Sequence, residues 1–167
     1  IQQNADKGNY LGISSNTMLT NHIAGKTKIG PAELTPLAIL INEYIAFNVQ
    51  ADSPMRSAKD LVSKLKADPG SVVVGISSAL GNINHIAFAV AAREMGVDPK
   101  KAKIVVFKSS GASMTALMGG HVDLVVGPVS IAGKHIGSGK IRPLAVTAPK
   151  RRGGALADVP TWKELGV

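Results

Sequence analysis

Cysteine is absent from the 167 residues. That excludes a thiol nucleophile, a cysteine-based zinc site and a disulfide framework. Aromatic residues make up only 4%, and no stretch interleaves them with basic side chains. A nucleic-acid surface built on stacking platforms therefore has no support, and no nucleic-acid partner is expected. No uninterrupted apolar run approaches the roughly 20 residues needed to cross a bilayer. Charge is sparse too, at 18% against 45% apolar residues. That balance belongs to a well-buried globular chain and not to a disordered one. The chain opens at Ile1, with neither an initiator Met nor a basic-then-apolar leader, so its native N-terminus is expected to lie upstream.

A length of 167 residues suits one domain that buries a core without metals or disulfides. The net charge of +8 favours an anionic partner over a cationic one. Its basic residues are dispersed, however. Lys64 and Lys66, then Lys100, Lys101 and Lys103, then Lys150, Arg151 and Arg152 fall in or near loops and read as solvated charge.

The apolar pattern alternates strands and helices. Tyr10 to Ser14 reads as a short strand, and Leu37 to Val49 as a longer one broken near Asn42-Glu43. Ser53-Pro54 opens a helix to about Ala67, stopped by Pro69-Gly70. Strand Val72 to Ile76, helix Gly81 to Met95, strand Ile104 to Phe107 and helix Gly111 to Met118 follow. Strand Val122 to Val126, helix Val129 to Ile136 and strand Ile141 to Thr147 complete the series. Repeated βα units of this kind imply an α/β fold with a mostly parallel sheet flanked by helices.

Ligands of open α/β sheets bind beyond the carboxyl ends of strands. Three strand-to-helix turns there carry polar residues and glycine. The first is "SSALGNIN", Ser77 to Asn84, where hydroxyls, amides and Gly81 meet a helix start. Free N–H groups and the helix dipole make such a start receptive to a carboxylate or phosphate. Ordinary capping by Ser78 or Asn82 would explain the same residues. The second turn is Lys108 to Ser113 and the third is Gly127 to Ser130.

Catalytic and metal alternatives are weaker. Ser78, His85 and Asp123 could be imagined as a hydrolase triad, but no G-x-S-x-G elbow is present. His22, His85, His121 and His135 lack close ligand spacing, so no metal site is expected. "GSGK" at Gly137 to Lys140 is not a P-loop, and no G-x-G-x-x-G follows a strand, so no cofactor is indicated.

Ordered blocks then point to a family. "ADKGNYLGISSNT" is similar to "A-x-D-G-Y-T-L-x-x-x-S-N-x-T", and "DPGSVVVGISSALGNINH" to "P-G-x-[LV]-x-x-[GA]-x-x-G-x-G-[ST]-x-x-H". "FKSSGASMTALMGGHVD" is like "[YF]-[KR]-G-x-x-[PA]-x-x-x-x-L-x-G-G-x-V-D". "GSGKIRPLAVTAPKRRGGALADVPT" is like "G-x-[LI]-[RK]-x-L-A-[VI]-T-x-x-x-R-x-x-x-x-P-[DE]-V-P-T". Over essentially its whole length the chain resembles the periplasmic substrate-binding proteins of tripartite tricarboxylate transporters, the Bug or TctC family.

That resemblance implies a Venus flytrap, the type II periplasmic-binding-protein fold: two α/β lobes joined by crossing strands and closing on a small carboxylate. Residues 1–40 would be a remnant of the first lobe and 41–148 the second lobe, with the interlobe strands at its ends. Residues 149–167 would be a further remnant of the first lobe. The family's N-terminal strand, its "P-x-x-x-G-G-x-x-D" loop and its C-terminal portion are not in this sequence.

Carried over residue by residue, Ser15, Asn16 and Thr17 match the first-lobe ligand loop. Ser78, Gly81, Asn82, Ile83 and Asn84 match the second-lobe turn, and His85 matches the His that follows it. Ser110 and Gly111 match the turn after the "[YF]-[KR]" strand. Gly127, also taken as ligand-binding, stands where many members carry Asp, and Ala79 and Leu80 replace small or polar residues. The resemblance implies a periplasmic, non-enzymatic solute receptor whose partners are a small carboxylate and membrane permease subunits. Two alternatives stand beside it, a small α/β hydrolase-like enzyme and a module that self-associates through an exposed hinge edge.

Overall fold

The computed structural model describes residues 7–167. The chain divides between Ala38 and Ile39 into two units.

Among the described residues the first unit carries one helix, α1 (Asn16–Ile23), and a 3-10 turn at Pro31–Glu33. Ser15 caps α1, its hydroxyl accepting from the Thr17 N–H at 3.4 Å. The strand expected over Tyr10 to Ser14 is not formed, and residues 10–15 are exposed and irregular. A strand needs a neighbour to take its backbone N–H and C=O groups, and every strand among the described residues lies in the second unit.

In that second unit the elements run β1 (Ile45–Gln50), α2 (Ala58–Ala67), β2 (Val73–Ser77), α3 (Ile83–Glu94) and β3 (Lys103–Phe107). They continue with α4 (Ser110–Met118), β4 (Leu124–Pro128), α5 (Val129–Ile136) and β5 (Ile141–Val146). The strand expected from Leu37 begins only at Ile45, where flanking strands become available. α2 starts at Ala58, not at Pro54, because Ser57 and Asp60 form the capping box. The Asp60 carboxylate accepts from the Ser57 N–H at 2.8 Å, and the Ser57 hydroxyl accepts from the Asp60 N–H at 3.3 Å.

The five strands are ordered β3-β2-β4-β1-β5. β2 is parallel to both β3 and β4, whereas β1 is antiparallel to β4 and β5. Four strands therefore share one direction and β1 alone opposes them. Pro143 sits on edge strand β5, where its missing N–H costs least. The β1–β5 register shifts beside it, from Phe47↔Ala145 to Asn48↔Pro143.

Alternation along the strands builds two cores, one on each face. Phe47, Val74, Ile76 and Val126 pack with Leu61 and Leu65 of α2 and Phe88 of α3. Ala46, Val125 and Val146 pack with Met114 and Leu117 of α4 and Ala132 of α5. Residues 149–167 return onto this sheet. The Val146 N–H donates to the Pro160 carbonyl and the Trp162 N–H to the Val146 carbonyl, both at 3.0 Å. The Trp162 ring stands edge-on to Phe47 at 4.9 Å.

Candidate ligand site

β2, β3 and β4 point their carboxyl ends the same way, so the turns that leave them gather at one end of the sheet. Ser77 is the last residue of β2, paired with Phe107 at the end of β3. The chain then reverses sharply. Ser78 adopts φ 71° and Gly81 φ 86°, and the Ser78 N–H is tied to the Phe107 carbonyl at 2.8 Å. A left-handed Ser is an uncommon, locally strained conformation.

Asn82 caps α3. Its Oδ1 accepts from the His85 N–H at 3.0 Å, and its Nδ2 reaches back to the Ser77 carbonyl. Inside α3, Asn84 donates through Nδ2 to the Ser77 hydroxyl at 2.8 Å. The Ser77 and Ser110 hydroxyls lie 3.0 Å apart, which ties the start of α4 to the same point. Ser77 and Asn84 are each 3% exposed, so these bonds form out of water. The Asn84 Oδ1 is buried without a hydrogen-bond partner.

Two helix N-termini thus meet around one serine. The N–H groups of Ile83 and Asn84 precede the first intrahelical bond of α3, from Ile86 to Asn82. In α4, Ser109 caps the Ala112 N–H at 3.2 Å, leaving the first-turn N–H groups of Ser110 and Gly111 outside the helical ladder. No Asp or Glu occurs in residues 77–85 or 108–113. The dipoles of both helices are therefore uncompensated by acidic side chains from these turns, which suits an anion.

His85 completes the turn by accepting the Gly81 N–H on Nδ1 at 2.9 Å. That bond requires an unprotonated Nδ1. Burial pushes the imidazole below its ordinary pKa, in the direction that preserves the bond.

The other expected residues are placed differently. Ser15, Asn16 and Thr17 form the cap and first turn of α1, in the first unit. Gly127 is buried within β4 opposite Ala46, so the expected third turn is instead a direct junction between β4 and α5. There the Val129 N–H already serves the Tyr44 carbonyl at 2.9 Å. Ile83 lines an apolar groove of about 480 Å³ with Ile45, Ile86, Val90 and Trp162; this groove shares only Ile83 with the expected set.

A hydrolase triad is not assembled. Ser78 follows the carboxyl end of β2, whereas Asp123 precedes β4 at the opposite end of the sheet and accepts the Val73 N–H at 2.8 Å. Sequence reasoning selected Ser78 and passed over Ser77, the residue at the centre of the network. Period-two alternation carried the signal, because Val74 and Ile76 face α2 and α3, putting Ser77 on the face of α4.

A mostly codirectional α/β sheet whose strand ends open onto helix N-termini is the architecture of a periplasmic-binding-protein lobe. A TctC solute-binding protein from Polaromonas shares it at TM-score 0.75 and 26% identity, covering 89% of this chain and 49% of that one. Residues 1–167 match the family described as Tripartite tricarboxylate transporter family receptor, and the chain belongs to that family.

A UPF0065 protein from the gbd 5' region of Cupriavidus necator is 32% identical over 119 residues, which are 71% of this chain and 35% of the relative. Protein BugT of Bordetella pertussis is 27% identical over 134 residues, 80% of this chain and 40% of BugT. An R. palustris protein solved with adipate has 29% identity and a TM-score of 0.68, covering 80% of this chain and 43% of that one. The chain spans less than half the length of each of these proteins.

Proposed function

We propose that the chain is part of a periplasmic receptor that captures a small organic carboxylate and hands it to the permease of a tripartite tricarboxylate transporter. The observation that carries this reading is the joining of the α3 and α4 N-termini around Ser77, in turns free of acidic residues. A carboxylate placed there would meet the open N–H groups of Ile83, Asn84, Ser110 and Gly111. The adipate-bound R. palustris relative supports a dicarboxylate.

Binding is the whole chemistry of this reading; no bond is made or broken. Residues 41–148 act as the second lobe, with β1 and β5 as the crossing strands. Residues 1–40 would contribute Ser15, Asn16 and Thr17 from the first lobe, whereas 149–167, expected with that lobe, pack on the sheet of the second unit. Ligand contacts made only when both lobes meet would shift the population from open to closed.

The test is thermal melting of this chain, and of a version extended at both ends, with and without adipate, malate and tricarboxylates. A ligand that prefers the folded form raises the midpoint by mass action. Stabilisation of the extended chain by one of these acids supports the reading. No response in either chain overturns it.

A further inference from the structure

Ser77 has no place in the ligand set expected from the sequence, and at 3% exposure it touches no solvent-borne molecule directly. Its hydroxyl has one proton to give and two lone pairs to receive. One lone pair takes the Asn84 Nδ2–H at 2.8 Å. The remaining neighbour is the Ser110 hydroxyl at 3.0 Å, and distance alone allows either oxygen to donate.

With the Asn84 amide donating through Nδ2, counting decides between them. Were Ser110 to donate, the Ser77 proton would be buried with no acceptor among the described residues. Were Ser77 to donate, its proton would be satisfied, and the Ser110 proton, in a half-buried residue at the first position of α4, would be released outward. Buried polar groups are paired wherever geometry permits, so the chain of bonds runs from Asn84 to Ser77 to Ser110.

We propose that Ser77 is a positioning residue that fixes Ser110 as an outward hydrogen-bond donor, so that the site selects an oxygen acceptor such as a carboxylate over a group that can only donate. This rests on the carboxylate reading for its ligand, but the direction of the bonds does not. Opposite polarity, from Ser110 through Ser77 to Asn84 Oδ1, would require the Asn84 amide to be turned over.

Two measurements test it. The first needs no ligand: NMR of serine-labelled chain in water at low temperature, reading hydroxyl-proton exchange. A protected Ser77 hydroxyl proton beside a freely exchanging Ser110 proton is expected. A protected Ser110 proton overturns the proposal, whether or not any acid binds.

The second is calorimetric titration of the extended chain with adipate and malate. Ser110→Ala should weaken binding about tenfold, the scale of one lost bond to a charged group. Ser77→Ala should weaken it by a similar factor while melting as a folded protein. The double variant should be no weaker than Ser110→Ala alone, because Ser77 acts through Ser110. Losses that multiply, or a Ser77→Ala chain that binds like the parent, overturn the proposal. Failure of the parent to bind either acid counts against the carboxylate reading and leaves the exchange measurement to decide the direction. Should Ser77→Ala fail to fold, the exchange measurement on the parent again decides.

Discussion

The Gly81 N–H donates to the Nδ1 of His85 at 2.9 Å, closing the turn between β2 and α3 through the side chain that follows it by one helical turn. Protonation at Nδ1 would replace an acceptor with a donor and leave two donors facing each other.

The pH dependence follows in sign. Burial holds the His85 pKa below its ordinary value in the folded chain, so between the folded and unfolded values the unfolded chain binds more protons. Stability therefore rises with pH across that interval. The contribution is complete above about 6.5, the unfolded value, and is lost as pH falls through the depressed folded value. Melting of the parent between pH 5 and 8 should show a larger acid-side loss than melting of His85→Gln. Equal pH profiles would mean that the Gly81–His85 bond does not carry the turn.

Ser78 offers a separation of stability from binding. Its φ of 71° lies in a region that costs an L-residue roughly 1–2 kcal/mol, and glycine escapes that cost at the expense of a more flexible unfolded chain. Ser78→Gly should raise the free energy of unfolding slightly, by about 1 kcal/mol at most, and should also weaken carboxylate binding if the hydroxyl faces the ligand. A variant destabilised by glycine would show that the strained geometry is not the resting conformation.

Trp162 is the chain's only tryptophan and is buried edge-on against Phe47. It fastens residues 149–167 to the sheet. Trp162→Ala should cost about 3–5 kcal/mol, the usual range for emptying such a site, measured by urea unfolding. Trp162→Phe should cost much less, because it keeps most of the ring and removes a buried N–H that has no acceptor. Phe47→Ala should shift the tryptophan fluorescence toward that of an exposed ring. An unshifted spectrum would show that the tail docks without this contact.

The succession of strands and helices from Val72 to Thr147 was legible because each element is an apolar run bounded by Gly, Pro or a capping residue. Tyr10 to Ser14 and Leu37 to Ile41 have comparable strand propensity but no neighbour to pair with, and propensity yields to pairing. At the site, composition located the turn without resolving roles within it. Two adjacent serines look alike in sequence, and only the pleat separates buried Ser77 from exposed Ser78. Gly127 read as a turn because the expected strand ended at Val126, yet β4 runs on through Gly127 and Pro128. What the letters could not show was the burial of Asn84, a polar residue whose position depends on how α3 packs over the end of β2.

Leu37, Ile39, Leu40 and Ile41 are 70–84% exposed, a contiguous apolar segment of the kind that marks an interaction surface. Its backbone enters no strand, so it offers its side chains together with N–H and C=O groups that pair in no sheet among the described residues. A segment with both features is a template for pairing with another chain. Light scattering over rising concentration should therefore show mass above that of the monomer, and Ile39→Lys with Ile41→Lys should restore the monomer by placing charge in the segment. A parent that stays monomeric throughout would exclude self-association through Leu37 to Ile41. If the extended chain is monomeric where this chain associates, the added residues cover the segment, as expected if it belongs against the rest of the first lobe.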